Sequence, residues 1–305
     1  MERPLWKTCL ALALILPGCG PGMEINSPKR VVAQKPMHQV EIPGAVLRGR
    51  VVWKGPLPAV EGFLGPISSL SEHGGGVRLP WANPNAPRIQ GKTKCIENAV
   101  VFLADEGASH PSWTHPPVAM VTDKFRLQVE QGEYTGPIGF LPRAGAIQLE
   151  NRQDFFFLIR GRGENYFSLP LLIQGKPLRK TLEKPGITVL TSGSGQFWMR
   201  SYLFVTEHPW IARTNAAGEF EIPGLPAGKH HFKLWLPNWQ VLDREIDAET
   251  WEINRLEFAP AMEKSFFSNF TGSKAEEVRL EASLDDFPKA TPKPRGNFSP
   301  LSKGQ

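Results

Sequence analysis

The stretch Asn215-Ala-Ala-Gly-Glu-Phe-Glu-Ile-Pro-Gly-Leu-Pro-Ala-Gly-Lys-His-His-Phe-Lys-Leu234 decides the fold. Thr214 and Asn215 open a turn, and Gly218 supplies a residue that can take a positive φ. Phe220 and Ile222 alternate with Glu219 and Glu221, so one face of the segment is apolar and the other charged. Leu225-Pro-Ala-Gly228 turns the chain into a second segment. There Phe232, Leu234 and Leu236 alternate with His231, Lys233 and Trp235. A period of two bounded by Gly and Pro is the pattern of β-strands.

The same grammar runs outward in both directions. Leu47, Val51 and Trp53 alternate with Arg48 and Arg50, and Phe125, Leu127 and Val129 with Arg126 and Gln128. Ile147 and Leu149, and Val278, Leu280 and Ala282, repeat it. Val100 to Leu103, Ile187 to Leu190 and Tyr202 to Val205 are apolar runs. No convincing helical period recurs. Gly and Pro number 29 each in 305 residues, so short strands joined by tight turns are expected, and aromatics at 10 % supply a core. The expected class is all-β, built as sandwiches. Gly55 to Gly91 lacks strand periods, holding Gly74-Gly-Gly76 and Asn83-Pro-Asn-Ala-Pro87. It is read as a long, partly ordered insertion.

The quoted stretch resembles the carboxypeptidase regulatory-like (transthyretin-like) β-sandwich. That family's signature runs T-D-x-x-G-x-F-x-I-x-x-L-P-x-G-x-Y-x-L. This chain has Asn215 in place of the Asp, and His231 or Phe232 near the Tyr position. Gly49-Arg-Val-Val-Trp-Lys-Gly-Pro-Leu-Pro58 and Asn98-Ala-Val-Val-Phe-Leu103 match the family's first strands. The resemblance implies a fold and says nothing about catalysis. About a hundred residues separate these strands from the quoted stretch, which implies an insertion within one sandwich.

The insertion resembles a cupredoxin-like domain of exported bacterial proteins. Asn151-Arg-Gln-Asp-Phe-Phe-Phe157, Pro185-Gly186 with the segment Gly193 to Tyr202, and His208-Pro-Trp210 follow the framework of that family's motifs. The ligands do not follow. Phe157 stands where the first His would be, Gly193 where the Cys would be, and Gln196 where the second His would be; Met199 alone remains. A blue-copper centre needs two imidazoles and a thiolate, with thioether only as a weak axial ligand. No His and no Cys lies between His115 and His208, so no type 1 copper site is expected inside this unit. Phe155 to Phe157, Phe197 and Trp198 are expected to fill the space as core, with an aromatic-lined pocket as the competing reading.

The two ends carry the address. Arg3 and Lys7 precede an eight-residue apolar run, Cys9 to Leu16, too short for a membrane span of ~20 residues. It reads as a signal peptide. Leu16-Pro-Gly-Cys19 resembles the lipobox of bacterial lipoproteins, with Pro17 atypical. That resemblance implies cleavage before Cys19 and a lipid anchor on its thiol; the alternative is an ordinary signal cut near Gly20. Only Cys95 would then stay a thiol, so no intramolecular disulfide forms, and Cys95 is expected to be buried and inert. The net charge of +5 and pI near 9.1 invite a nucleic-acid reading. Residues 1–18 carry +1 and residues 287–305 carry +4, which leaves 19–286 neutral. A nucleic-acid-binding domain would carry its bases on a folded face, so no nucleic-acid partner is expected.

Other constellations are weak. His230 and His231 are adjacent on a strand and face opposite ways, so they do not share a metal. His110 and His115 lie in a Pro-rich loop. There is no nucleophile elbow, dinucleotide fingerprint, HExxH, Walker loop or CxxC. No catalytic set, metal set or cofactor is expected, and the protein reads as no enzyme. Trp113, Trp210, Trp235 and Trp239 are the candidates for an aromatic ligand or partner surface, with packing between two sandwiches as the other reading. The expected organisation is signal and lipobox 1–22, tether 23–43, first part of a regulatory-like sandwich 44–117, degenerate cupredoxin-like unit 118–208, second part 209–286, and a basic Pro-rich tail 287–305. The expected role is structural or interaction-based in the cell envelope, periplasmic or at the cell surface, with an envelope protein or glycan as partner. The alternatives are a carbohydrate-binding module and, disfavoured, a copper or electron-transfer protein.

Overall fold

The turn that opens the quoted stretch is built by one side chain and one glycine. Asn215 Oδ1 accepts hydrogen bonds from the Ala217 and Glu219 amides, both at 2.9 Å. Gly218 takes φ +73°, and a Cβ there would lie 2.7 Å from the Val51 carbonyl oxygen. The Gly218 carbonyl in turn accepts from the Val51 amide at 2.8 Å, tying the turn to the strand Ala45–Trp53. The computed structural model describes residues 44–60, 62–64, 80–105, 111–154, 156–193, 198–246, 253–272 and 274–288. Expectations for the signal, Cys19, the tether and 289–305 lie outside them, as do His110, Phe155, Gln196 and Phe197.

Four sheets carry the fold. In the first, Ala45–Trp53 lies between Glu219–Leu225, antiparallel, and Ala275–Ala282, parallel. Leu225 to Gly228 is the corner that takes the chain out of this sheet into the next. The second sheet runs Ile211–Arg213, Val100–Leu103, Gly228–Leu236, Met262–Phe270. Phe220, Ile222, Phe232 and Leu234 point between these two sheets and share one core with Leu47, Val51 and Leu103. The third sheet runs Ile138–Pro142, Arg200–Thr206, Gly186–Ser192, Phe157–Gly163, Phe167–Leu171. The fourth runs Leu178–Leu182, Gly145–Asn151, Val118–Asp123, Arg126–Gln131, Tyr134–Gly136. A second core, with Met120, Val129, Leu149, Ile159 and Leu203, fills the space between them. Among the described residues the only helical piece is the 3-10 turn Leu284–Asp286.

The third and fourth sheets are made wholly from residues between Val118 and Thr206. The chain leaves the first sandwich after Leu103 and re-enters at Ile211, and Ile211 pairs with Phe102. Exit and entry are neighbouring positions on adjacent strands. A whole sandwich can therefore be inserted without distorting its host.

The second and third sheets also pack on each other. Val100, Ile211 and Trp235 from one meet Ile138, Phe140, Tyr202 and Phe204 from the other. Trp235 stands edge-on to Tyr202 at 4.9 Å and to Phe204 at 5.0 Å between ring centroids. Phe102 and Phe140 complete the cluster around Phe204, at 5.8 and 6.1 Å. Strands buried on both faces read as continuous apolar runs rather than alternations. That is why Val100 to Leu103 and Tyr202 to Val205 lack the polar phase seen in Glu219–Leu225.

Several expectations change. Phe125 belongs to a turn, with Lys124 at φ 46° and Phe125 at φ 57°, and its strand starts at Arg126. Phe287, expected in the tail, is 6 % exposed and packs on Trp53 and Trp239 at 6.2 and 5.1 Å. The Asn83 to Arg88 part of the expected loose insertion is pinned by hydrogen bonds to Trp239 and Trp198. Cys95 is a buried free thiol bridged through its backbone to Val52.

Removing the indole of Trp235 leaves Tyr202 and Phe204 facing a void. Trp235→Ala is expected to cost about 3–5 kcal/mol, measured by urea unfolding of the intact chain. A loss no larger than that of an exposed-site change would remove this ring from the centre of the packing.

Candidate functional site

The sequence Asn83-Pro-Asn-Ala-Pro87 forms a strap across one end of the two sandwiches. Asn83 is buried; its Oδ1 accepts from the Asn85 amide at 2.9 Å, and its Nδ2 donates to the Trp239 carbonyl at 3.2 Å. Asn85 Nδ2 donates to the Trp198 carbonyl at 3.1 Å. The two asparagines thus anchor one loop to both sandwiches, and Pro84 and Pro87 limit its backbone freedom. Beneath it lies a cleft of about 360 Å³, bordered by Pro87, Leu127, Trp198, Arg200, Tyr202 and Pro237.

Arg200 begins the strand Arg200–Thr206. Its guanidinium carbon lies 4.0 Å above the Phe258 ring and 5.3 Å from the Tyr202 ring centroid. Nη1 is sealed from solvent and has no hydrogen-bond partner, and the same holds for the Tyr202 hydroxyl. No ion pair of Arg200 with an acid occurs among the described residues. Burial pushes the guanidinium below its ordinary value, with only the Tyr202 phenol acting against it, and pushes that phenol up. On the rim, Arg88 is paired with Glu97 at 3.2 Å, while exposed Arg126 makes no ion pair among the described residues.

A second half-buried arginine shows the contrast. Arg213 lies 3.4 Å over the Tyr134 ring and 5.0 Å from Phe140. Its Nη1 donates to Gln131 Oε1 at 3.0 Å and to the Ile138 carbonyl at 3.4 Å. Burial lowers its value to about 10, and raises that of Tyr134 to about 12. The Tyr134 hydroxyl donates to Asn98 Oδ1 at 3.0 Å. In this cluster Arg213 Nη1 and the phenol both have partners; Arg200 Nη1 and the Tyr202 hydroxyl do not.

The tryptophans singled out from sequence are mostly interior. Trp210, Trp235 and Trp239 are 1, 2 and 3 % exposed. Trp210 donates its indole N–H to the Gly224 carbonyl at 3.0 Å, and Trp239 packs on Trp53 at 6.1 Å. Their expected role as an aromatic surface is corrected: where the second sheet meets the third, Trp235, on what reads as the polar phase of Gly228–Leu236, points into a second apolar layer. Trp113 is half-buried against His115 at 5.1 Å. The glycan reading loses the exposed aromatic face on which it stood.

Of the positions matched to copper ligands, Phe157 and Met199 are packed. Phe157 is fully buried, and Trp198 and Met199 share its core. Trp198 donates its indole N–H to the Phe125 carbonyl at 2.9 Å. Phe156 is the exception among the aromatics expected inside: next to inward-facing Phe157, it turns outward and is 56 % exposed. Among the described residues no group of three or more His, Cys, Asp or Glu is arranged to hold a metal ion. His230 is engaged by Asp105 at 3.2 Å and the Pro226 carbonyl at 3.1 Å, while His231 stacks on Phe267 at 4.9 Å.

Sequence reading missed Arg200, Asn83 and Asn85. A signal for Arg200 was present: it is the one charged residue between Trp198 and Val205, in a run whose neighbours are mostly apolar on both phases. Such a residue has nowhere solvated to point.

No family model matches the chain, and no curated protein matches it. Solved structures similar to part of it include cupredoxins. The reduced Cu(I) form at pH 4 of an amicyanin mutant is 13 % identical, over 34 % of this chain and 97 % of that one, with TM-score 0.24. A purple cupredoxin from Nitrosopumilus maritimus is 14 % identical, over 30 % of this chain and 98 % of that one, with TM-score 0.23. A copper-containing nitrite reductase from Thermus scotoductus SA-01 is 18 % identical, over 34 % of this chain and 25 % of that one, with TM-score 0.23. Likeness at this level concerns about a third of the chain and carries nothing about ligands.

His115 links Trp113 to the packing between the sandwiches, its Nε2 facing the Pro209 carbonyl at 2.9 Å and its ring edge-on to Phe140 at 5.2 Å. Burial lowers its value from 6.5; the Pro209 carbonyl opposes the shift and the Arg213 charge adds to it. The folded chain therefore binds this proton more weakly than the unfolded chain. Its contribution to stability is full above 6.5 and is lost as pH falls through the lowered folded value. Urea unfolding at about pH 7.5 and about pH 5.5 is expected to show a smaller acid loss in His115→Gln than in the native chain. Equal losses would show that this ring does not titrate in that window.

Proposed function

We propose that this chain is a non-catalytic, lipid-anchored protein of the bacterial cell envelope with a structural or interaction role. In this reading a regulatory-like sandwich carries a cupredoxin-like unit that has exchanged copper chemistry for packing. The observation that supports it most is the complete burial of Phe157, at the position matched to the first copper-binding His, in a core with Met199 and Trp198. A phenyl ring offers no lone pair to a metal, and a lone thioether does not hold Cu(II). The exported, anchored location rests on the apolar run Cys9 to Leu16 and on Cys19 in its lipobox-like setting.

The test expresses the full chain in a bacterial host fed labelled palmitate. The native chain is expected in the membrane fraction and labelled, and Cys19→Ala unlabelled and released. A Cys19→Ala chain that stays membrane-bound overturns the anchor. Incubation of the purified protein with Cu(I) or Cu(II), followed by gel filtration, is expected to leave no stoichiometric copper. One tightly held copper per chain overturns the packing reading.

A further inference from the structure

We propose that the cleft under the Asn83 to Arg88 strap binds a small ligand bearing a carboxylate or phosphate oxyanion beside an apolar group, with Arg200 as its main partner. The inference goes beyond the anchored, non-catalytic reading and does not depend on it.

Three observations converge. The first is the uncompensated cation. An ionised group removed from water is costly unless paired and hydrogen-bonded, and buried polar atoms in folded proteins nearly always have partners. Arg200 has two aromatic faces, Phe258 and Tyr202, and Nη1 donates to nothing. The Tyr202 hydroxyl beside it is an idle donor as well. Both residues line the cleft, and an oxyanion that displaces the groups now sealing these two atoms would satisfy both, since guanidinium and phenol donate and a carboxylate or phosphate accepts.

The second is the charge around the cleft. Among the described residues Glu97 is the one acid lining it and is paired with Arg88 at 3.2 Å, so Arg126 and Arg200 remain there without an acid partner. That balance disfavours a metal cation or an amine. In the other large groove, on the outer face of the first sheet, Arg48, Arg50 and Arg279 are matched by Glu221, Glu219 and Glu281, and Arg213 Nη1 has Gln131 and the Ile138 carbonyl as acceptors.

The third is shape. A volume of about 360 Å³ is at the lower end of ligand-sized pockets. Leu127, Met199, Trp198 and Pro237 give it apolar walls, and the strap above is held by hydrogen bonds to both sandwiches. A ring or short chain fits against these walls while its acid group meets Arg200.

The test titrates the full chain with benzoate and with phenyl phosphate, reading intrinsic tryptophan fluorescence and the thermal midpoint. Benzamide serves as the neutral match. At least one anion is expected to raise the midpoint and change the fluorescence saturably, and benzamide to do neither. Which anion binds more tightly separates the carboxylate source from the phosphate source. Arg200→Met, which keeps the stacked bulk without charge, is expected to weaken binding by about tenfold or more. Its midpoint without ligand should be unchanged or higher, because an unpaired buried cation is gone. Arg279→Met, remote from the cleft, should bind as the native chain does. Should Arg200→Met not fold, Arg200→Lys keeps the test: it loses the planar fork and should still weaken binding. The proposal is overturned if neither anion binds, if benzamide binds equally, or if the folded Arg200 variant binds as tightly as the native chain.

Discussion

The architecture depends on one sheet being covered on both faces where the two sandwiches meet. Val100–Leu103 and Gly228–Leu236 send Val101, Leu103, Phe232 and Leu234 to one core and Val100, Phe102 and Trp235 to another. Where the sheets overlap, from Val100 to Leu103 and at Leu234 to Leu236, the strands have no solvent phase. Each side chain there must be apolar or fully partnered, and the rings around Phe204 and Trp235 meet edge to face as aromatic quadrupoles prefer. Two sandwiches with separate cores thereby become one stack in which the inner sheets share a layer of rings. The adjacency of Phe102 and Ile211 makes this possible, because the inserted unit is tethered at two neighbouring points of the very sheet it covers.

The cleft is a consequence of that stacking. The ring layer ends where the strand Arg200–Thr206 begins, and Tyr202 belongs to both, edge-on to Trp235 while it also lines the space beside Arg200. Beside the rings lies the cleft, and the Asn83 to Arg88 strap covers it with side-chain amides, which can bond backbone carbonyls on both sandwiches where a regular strand could pair with only one. The Asn83 to Arg88 part of a stretch without strand period is therefore held in place through two asparagines.

Much of the fold was legible because strands half-exposed to water announce themselves. Phe220 and Ile222 against Glu219 and Glu221 marked the buried face, and Gly218 the turn, since no other residue relieves the contact with the Val51 carbonyl. The errors share one cause. Trp235 was assigned to a polar phase, and Phe287 to a solvated tail, on the assumption that each strand has one wet face and that chain ends are solvated. Both residues contact layers contributed by distant sequence. The strands Phe157–Gly163 and Phe167–Leu171 escape a reading by period for another reason: Gly161 and Gly163 break the apolar pattern of the first, where a Cβ at Gly161 would strike the Phe167 ring, and Pro170 interrupts the second. The site was barely legible. Its asparagines act through the backbone of remote segments, and Arg200 differs from a surface arginine only in what covers it.

Arg200 and Arg213 together show why burial alone does not define a site. Both lose water, and both rest on aromatic rings that recover part of the loss through cation–π attraction. Arg213 recovers the rest internally, because Gln131 bonds it while also bonding the Pro116 and Phe140 carbonyls, so the arginine closes a network that holds the insertion to its host. A fully satisfied buried network adds rigidity and needs nothing from outside. Arg200 sits at the same boundary with rings on its faces and no acceptor at Nη1. A stabilising role for it would require the acceptor that Arg213 has. Packing alone would be served as well by methionine or leucine at lower desolvation cost. The difference between the two arginines is the absence of one acceptor, and a cleft large enough to admit that acceptor adjoins the arginine that lacks it.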